Sequence, residues 1–176
     1  VTQATTTGYY LKKFLTDGLD LEKNQTSVHS WILFRYAEIL LNYAEAMNEA
    51  YGPDTDPFGD GKTARWAVNE VSRVGMPPVT ASDETEMRNR IKHERRIELA
   101  FEDHRFWDVR RWGKADAESA LGVPVKGVSI TKTETGFTYA TKIVGTRTFQ
   151  EKMMLYPIPQ SEILRSAGKI EQNPGW

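Results

Sequence analysis

The chain is predicted to adopt a mainly α-helical fold with one small β-hairpin and irregular loops. Three observations carry that reading. Apolar residues recur at 3- and 4-residue spacing from Phe34 to Tyr51, a second long helical run follows a capping residue at Asp83, and two loosely alternating segments flank a turn at Gly136.

The first helix, Phe34 to Tyr51, carries three stripes. Leu33, Ala37, Leu40, Ala44, Met47 and Tyr51 form one apolar row and Tyr36, Ile39, Tyr43, Ala46 and Ala50 another; Arg35, Glu38, Asn42, Glu45 and Glu49 form a polar row. Two apolar rows imply neighbours on two sides, as in a stacked helical array. Gly52, Pro53, Pro57, Gly59 and Gly61 then make a loop before a second helix, Thr63 to Val74, with Ala64, Ala67, Val68 and Val71 inward and Gly75 and Pro77 as the stop. The two helices read as one tetratricopeptide-like hairpin. Such units normally need about three copies to close a core, and this chain contains no second copy.

Asp83 or Ser82 caps a long helix running to about Phe101, with Met87, Ile91, Ile97 and Phe101 expected in the core. Asp103 caps a short continuation that ends at Gly113. Val125 to Lys132 and Phe137 to Ile143 form the hairpin, Val128 and Ile130 facing Phe137, Tyr139 and Ile143 across a turn containing Gly136, and it needs support from the helices. Leu155 to Pro159 is extended because each proline disfavours helix at the residue before it, and Ser161 to Ser166 makes a short helix. Asn173, Pro174 and Gly175 form a turn, and Trp176 is expected to dock and so to mark the native carboxy terminus.

The densest chemistry lies in Glu94 to Trp112, ERRIELAFEDHRFWDVRRW, where five Arg and five carboxylates are threaded with Ile97, Leu99, Phe101, Phe106, Trp107, Val109 and Trp112. Arg95 with Glu98, Glu102 with Arg105, Arg105 with Asp108 and Asp108 with Arg111 are i,i+3 pairs, spaced to meet on adjacent helical turns. A guanidinium presents several donors in a fixed plane, which suits carboxylates near apolar groups. Glu94, Arg95, Arg96, Glu98, Glu102, Arg105, Asp108 and Arg111 are therefore expected to form a structural ion network beside a core.

That run, together with LYPIPQSEIL from Leu155 to Leu164 and QNPGW from Gln172 to Trp176, resembles the carboxy-terminal region of SusD/RagB proteins in wording, order and spacing. The family comprises outer-membrane glycan-binding lipoproteins of Bacteroidetes. The resemblance implies a fragment of a SusD-like α-α superhelix, with residues 1–176 as one carboxy-terminal domain and the lipid-anchored amino-terminal part missing. It also implies non-catalytic oligosaccharide binding, a SusC-like TonB-dependent transporter as partner and a surface-exposed outer-membrane location. A helical-repeat adaptor that binds a protein through the Phe34 to Val74 hairpin is the alternative from another class.

Composition narrows the rest. The net charge is -1, from 23 Lys and Arg against 24 Asp and Glu, which argues against nucleic acid as a partner. No run approaches the roughly 18 apolar residues of a membrane span. With no Cys and only His29, His93 and His104, neither a thiolate site nor zinc is expected, and HExxH fails because Ile97 stands where the second His belongs. No cofactor is expected.

Asp54, Asp56 and Asp60 resemble a calcium loop, but the fifth position is Phe58 and the twelfth Arg65, so a solvated Asp-rich turn is the default reading. Glu98 and Glu102 are one turn apart, a spacing compatible with a glycosidase pair, yet Arg95 and Arg105 beside them favour the ionised forms that a general acid must avoid. Sugar binding without chemistry asks for exposed aromatic faces. Trp66, Trp31, Tyr51 and Tyr139 are the candidates, with Trp66 first, because they lie at element edges or off the main stripes.

Overall fold

The computed structural model describes residues 5–28, 31–71 and 76–176, which fall into two compact units. One comprises residues 31–71 with 76–107 and is helical; the other comprises residues 5–28 with 108–176 and carries the hairpin.

The helical unit is built from α1 (Tyr36–Tyr51), α2 (Ala64–Glu70) and α3 (Glu84–Glu98), followed by the start of α4 (His104–Arg111). Each helix is bounded by local chemistry. Gly52 closes α1 at φ 85, a conformation open to glycine, and its N–H reaches the Asn48 carbonyl at 3.0 Å. Thr63 Oγ1 accepts from the Trp66 N–H at 3.0 Å to start α2. Asp83 Oδ1 accepts from the Glu86 N–H at 2.9 Å to start α3. Val71 turns extended at the end of α2, and the expected continuation through Val74 to the stop at Gly75 lies outside the described residues.

Leu40, Leu41 and Ala44 of α1 meet Ala67 and Val68 of α2, Met87 and Ile91 of α3, and Val71, Val79 and Leu99 in one core. Complete burial of a large aliphatic side chain is worth about 1.5–3 kcal/mol, so this cluster is the main source of the unit's stability. Asn48 is buried within the same face of α1 and donates from Nδ2 to the Glu84 carbonyl at 2.9 Å, tying α1 to the start of α3.

Two expectations change here. Only one apolar row of α1 enters the core: Leu41 and Asn48 join it, while Tyr36 and Ile39 of the second row remain exposed and Tyr43 tucks in partway. Both neighbouring helices lie on the Leu40 and Leu41 side, leaving the second row outside the core. At the end of α3 the buried residue is Leu99, while Ile97 and Phe101 are exposed, because the chain leaves the helix at Leu99 and takes positive φ at Phe101. Trp107 is likewise exposed, its ring lying edge-to-face on Phe106 with centroids 5.0 Å apart.

The second unit contains α5 (Lys114–Leu121), β1 (Val125–Lys132), β2 (Phe137–Gly145), a 3-10 turn at Glu151–Met154 and α6 (Gln160–Arg165). Helix α5 was not anticipated; its eight residues, KADAESAL, are good helix formers but bury only Ala117, so they show no stripe. The strands are antiparallel, with Ile130 opposite Tyr139 and Lys132 opposite Phe137, and the turn closes through Thr133 N–H to the Gly136 carbonyl at 2.8 Å. Support at the outer edge of β1 comes from the amino-terminal segment rather than a helix. Val128 N–H donates to the Thr7 carbonyl at 2.7 Å, and Gly127 and Gly8 permit the two backbones to touch.

The Leu155–Leu164 and Gln172–Trp176 motifs meet in this unit. Gln172 Nε2 donates to the Ile158 carbonyl at 2.9 Å, and its Oε1 accepts from the Ile158 N–H at 2.8 Å. Asn173 Nδ2 donates to the Tyr156 carbonyl at 2.6 Å. Trp176 is half docked: its indole N–H is shared between the Lys152 and Leu155 carbonyls, and Lys152 Nζ lies 4.4 Å from the ring centroid.

Candidate functional site

Six of the eight expected network residues lie in the helical unit, and two of them, Glu98 and Glu102, are held by a residue the local pairing rule did not include. Arg35, just before α1, donates from Nη1 to Glu98 Oε1 at 2.5 Å, from Nη2 to the Glu98 carbonyl at 2.5 Å and from Nε to Glu102 Oε2 at 2.7 Å. Arg95, buried on α3, donates to Asn42 Oδ1 at 2.6 Å, Glu94 is buried beside it, and Arg96 faces outward. Arg105 follows on α4, half-buried. In the other unit, Arg111 Nη2 reaches Asp108 Oδ1 at 3.0 Å, an i,i+3 contact.

Burial acts to lower the pKa of Arg35, but its hydrogen bonds to Glu102 and Glu98 outweigh that effect and raise it. Glu98 and Glu102 therefore accept from a permanent cation. This is the reverse of what a proton-donating carboxyl needs, so the geometry favours holding the chain over acid–base work.

The three aspartates of the α1–α2 loop have separate partners. Asp56 accepts from the backbone N–H groups of Phe58, Gly59, Asp60 and Gly61, and the bond from Gly61 leads in lowering its pKa. Asp54 is gripped by both Nε and Nη2 of Arg65, at 2.5 and 2.7 Å. Asp60 pairs with Lys62 at 3.1 Å. Arg65 also donates to the Val79 and Ala81 carbonyls, so it clips the loop to the segment before α3. Among the described residues no three His, Asp or Glu side chains are placed to hold one metal ion.

The four aromatic candidates occupy different settings. Trp66 is half-buried against the core, edge-to-face with Tyr43 at 6.5 Å, and Tyr43 is itself fixed by its hydroxyl donating to the Lys62 carbonyl at 2.7 Å. Tyr51 is exposed and stands edge-to-face with exposed Phe58 at 6.4 Å. Trp31 begins an exposed apolar run with Ile32, Leu33 and Phe34. His93 lines a pocket of about 240 Å³ with Arg90, Glu94 and the Pro77–Pro78 corner; that is smaller than the roughly 300–1,000 Å³ of ordinary ligand pockets. His104 approaches Glu38 at 3.6 Å, and His29 lies outside the described residues.

Tyr139 has the most developed surroundings. Directly opposed strand residues share a face, so the register puts Lys126, Val128, Ile130 and Lys132 of β1 on one side with Ile143, Thr141, Tyr139 and Phe137 of β2. Ile130, Phe137, Tyr139 and Ile143 are between 51% and 68% exposed, a continuous open strip on a structured element. Sequence reading placed Val128 and Ile130 opposite Phe137, Tyr139 and Ile143 but took only Tyr139 as a sugar-binding candidate and did not include the two lysines. The strand alternation could have placed them on one face, whereas their exposure depends on tertiary packing.

Comparison with known proteins gives consistent results. A model of the SusD family matches residues 1–176. SusD-like protein P2 of Formosa agariphila is 30% identical over 165 residues, covering 90% of this chain and 28% of that protein. SusD-like protein P38 of the same organism is 35% identical over 94 residues, covering 48% of this chain and 17% of that protein. The crystal structure of a SusD-like protein from Bacteroides fragilis superposes with a TM-score of 0.66 at 39% identity, covering 83% of this chain and 26% of that one. The chain thus spans between about a sixth and somewhat over a quarter of the proteins it matches.

Proposed function

As this chain belongs to the SusD family, we propose that it serves non-catalytic glycan binding at the cell surface and delivers oligosaccharide to a SusC-like TonB-dependent outer-membrane transporter. The family match across residues 1–176 is the observation that carries this reading. The chemistry agrees with it: Glu98 and Glu102 are engaged by Arg35, while aromatic rings at Tyr139, Tyr51 and Trp31 are presented outward. A binding protein needs surface of the second kind and no reactive group.

No helix among the described residues is long and apolar enough to cross a membrane. Family membership implies attachment through a lipid on an amino-terminal segment, with residues 1–176 acting as the carboxy-terminal domain of the longer polypeptide. Of the expected scaffold Glu94, Arg95, Arg96, Glu98, Glu102, Arg105, Asp108 and Arg111, the helical unit is framed by Arg35 with Glu98 and Glu102 and by Arg95 with Asn42, and the other unit holds the Arg111–Asp108 pair.

A second reading has one observation behind it. The exposed Tyr36 and Ile39 row of α1 is a surface of the kind a helical-repeat adaptor offers to another protein. Affinity electrophoresis of the native polypeptide through gels containing a panel of polysaccharides separates the two. Retardation by at least one polysaccharide supports glycan capture. Free migration through all of them, with tight capture of a protein partner that is lost in Ile39→Asp, supports the adaptor instead.

A further inference from the structure

We propose that the open face of the β1–β2 hairpin is a binding strip for an anionic glycan, one carrying uronate or sulfate groups. Tyr139 and Phe137 stack on sugar rings, and Lys126 and Lys132 pair with the acidic substituents. The inference rests on the glycan-binding reading above and gives it a place and a ligand class.

The first support is the apolar surface itself. Ile130, Phe137, Tyr139 and Ile143 lie on one face of a hydrogen-bonded strand pair and are each more than half exposed. Contiguous exposed apolar surface rimmed by polar groups marks a binding surface more often than it marks a free one. The aromatic rings offer flat faces to the C–H side of a pyranose, while Thr141, on the same face, offers a hydroxyl to its rim.

Charge selects the ligand class. The chain as a whole is slightly acidic, yet residues 125–149 carry Lys126, Lys132, Lys142 and Arg147 against Glu134 alone. Several cations elsewhere are committed: Arg35, Arg65, Arg88 and Lys114 all hold carboxylates. The side chains of Lys126 and Lys132 have no ion-pair partner among the described residues. These two lysines sit on the aromatic face at opposite ends of β1, about 20 Å apart at strand rise, so an extended chain laid along the strip passes both. A dry protein interface would have to desolvate both ammonium groups, whereas a hydrated polyanion pairs with them where they stand.

The test is affinity electrophoresis of the native polypeptide in alginate, a polyuronate, and in a sulfated galactan, with neutral amylose and laminarin alongside. At least one polyanion should retard the protein, and the retardation should fall as NaCl rises from about 0.05 to 0.5 M. Lys126→Gln with Lys132→Gln, and separately Tyr139→Ala, should each weaken apparent affinity about tenfold. Lys169→Gln, at an exposed lysine outside the strip, should leave it unchanged. Circular dichroism and melting of all variants should match the parent, since the altered side chains are exposed.

Polyanion binding that ignores the hairpin variants overturns the site. Retardation by neutral glycans alone, insensitive to the lysine pair, overturns the ligand class while leaving the family reading intact. Migration unaffected by every glycan fails the glycan-binding reading itself.

Discussion

The side-chain amide of Gln172 occupies both backbone polar groups of Ile158, donating at 2.9 Å and accepting at 2.8 Å. Ile158 stands between Pro157 and Pro159, neither of which has an N–H, so this segment cannot take a regular strand partner. One amide supplies the missing pairing. Gln172→Glu keeps shape and acceptor but turns the donor into an oxygen facing a carbonyl, and Gln172→Ala removes both bonds. Each should cost about 1–2 kcal/mol, read as a lower urea midpoint in far-UV circular dichroism. A Glu variant that melts like the parent would show that the clamp contributes nothing.

Arg35 reaches the Glu98 and Glu102 carboxylates, 63 and 67 residues away, with Nη1 and Nε of one guanidinium, and its Nη2 donates to the Glu98 backbone carbonyl. Glu102 is 7% exposed at its side chain and Glu98 24%, so the loss of Arg35 leaves one carboxylate in mostly dry surroundings. Arg35→Gln should destabilise by about 1–3 kcal/mol, below the usual cost of breaking a fully buried pair because Arg35 and Glu98 keep some solvent. Arg35→Lys should recover less than half, since a single ammonium cannot span three acceptors in one plane. Thermal melts should also show Arg35→Gln and Glu102→Gln to be non-additive; additive losses would mean that the two do not act as a pair.

The parts legible in sequence were those set by near neighbours. Thr63 and Asp83 announce their helices because a cap acts across three residues, and the β1–β2 alternation shows in a period of two. Choosing between the rows of α1 required knowing where α2 and α3 lie; Tyr36 with Ile39 and Leu40 with Ala44 satisfy the same spacing. Phe101 looked buried by composition, but a positive φ turns the chain outward there. In the candidate site, Tyr139 was visible as an edge aromatic. Its place opposite Ile130 was legible in the alternation and agrees with the observed register, whereas the exposure of that face and the reach of Arg35 depend on tertiary approach, which a local pattern does not encode.

Acid should weaken the helical unit in a defined window. Hydrogen bonds from Arg88 hold Glu49 below its usual pKa, bonds from Arg65 do the same for Asp54, and backbone N–H groups of Gly61 and Glu86 lower Asp56 and Asp83. A carboxyl with a depressed folded-state pKa contributes fully above its unfolded value and loses that contribution as pH falls through the folded one. The reference values here are 4.5 for Glu and 3.8 for Asp. Urea midpoints should therefore be level above about pH 5 and decline below about pH 4. Arg88→Gln should flatten part of that decline by removing the interaction that depresses Glu49. An unchanged acid profile in that variant would assign the lability to other groups.

Gly127 and Thr7 make the closest test of how the hairpin is held. A Cβ on residue 127 would lie 2.6 Å from the Thr7 carbonyl oxygen and 2.8 Å from its Cα, both backbone atoms with no rotamer to yield. Gly127→Ala should lift the amino-terminal segment from β1, break the 2.7 Å bond from Val128 N–H, and cost about 1–3 kcal/mol as an overpacked contact. Hydrogen exchange at Val128 should accelerate while the cross-strand amides of β1 and β2 stay protected. Gly145→Ala is the matched control, because a Cβ there meets nothing within 4 Å. Equal exchange at Val128 in the two variants would mean that the segment is not held through this contact. The predicted difference would instead make the amino-terminal segment the support that a lone two-stranded hairpin lacks.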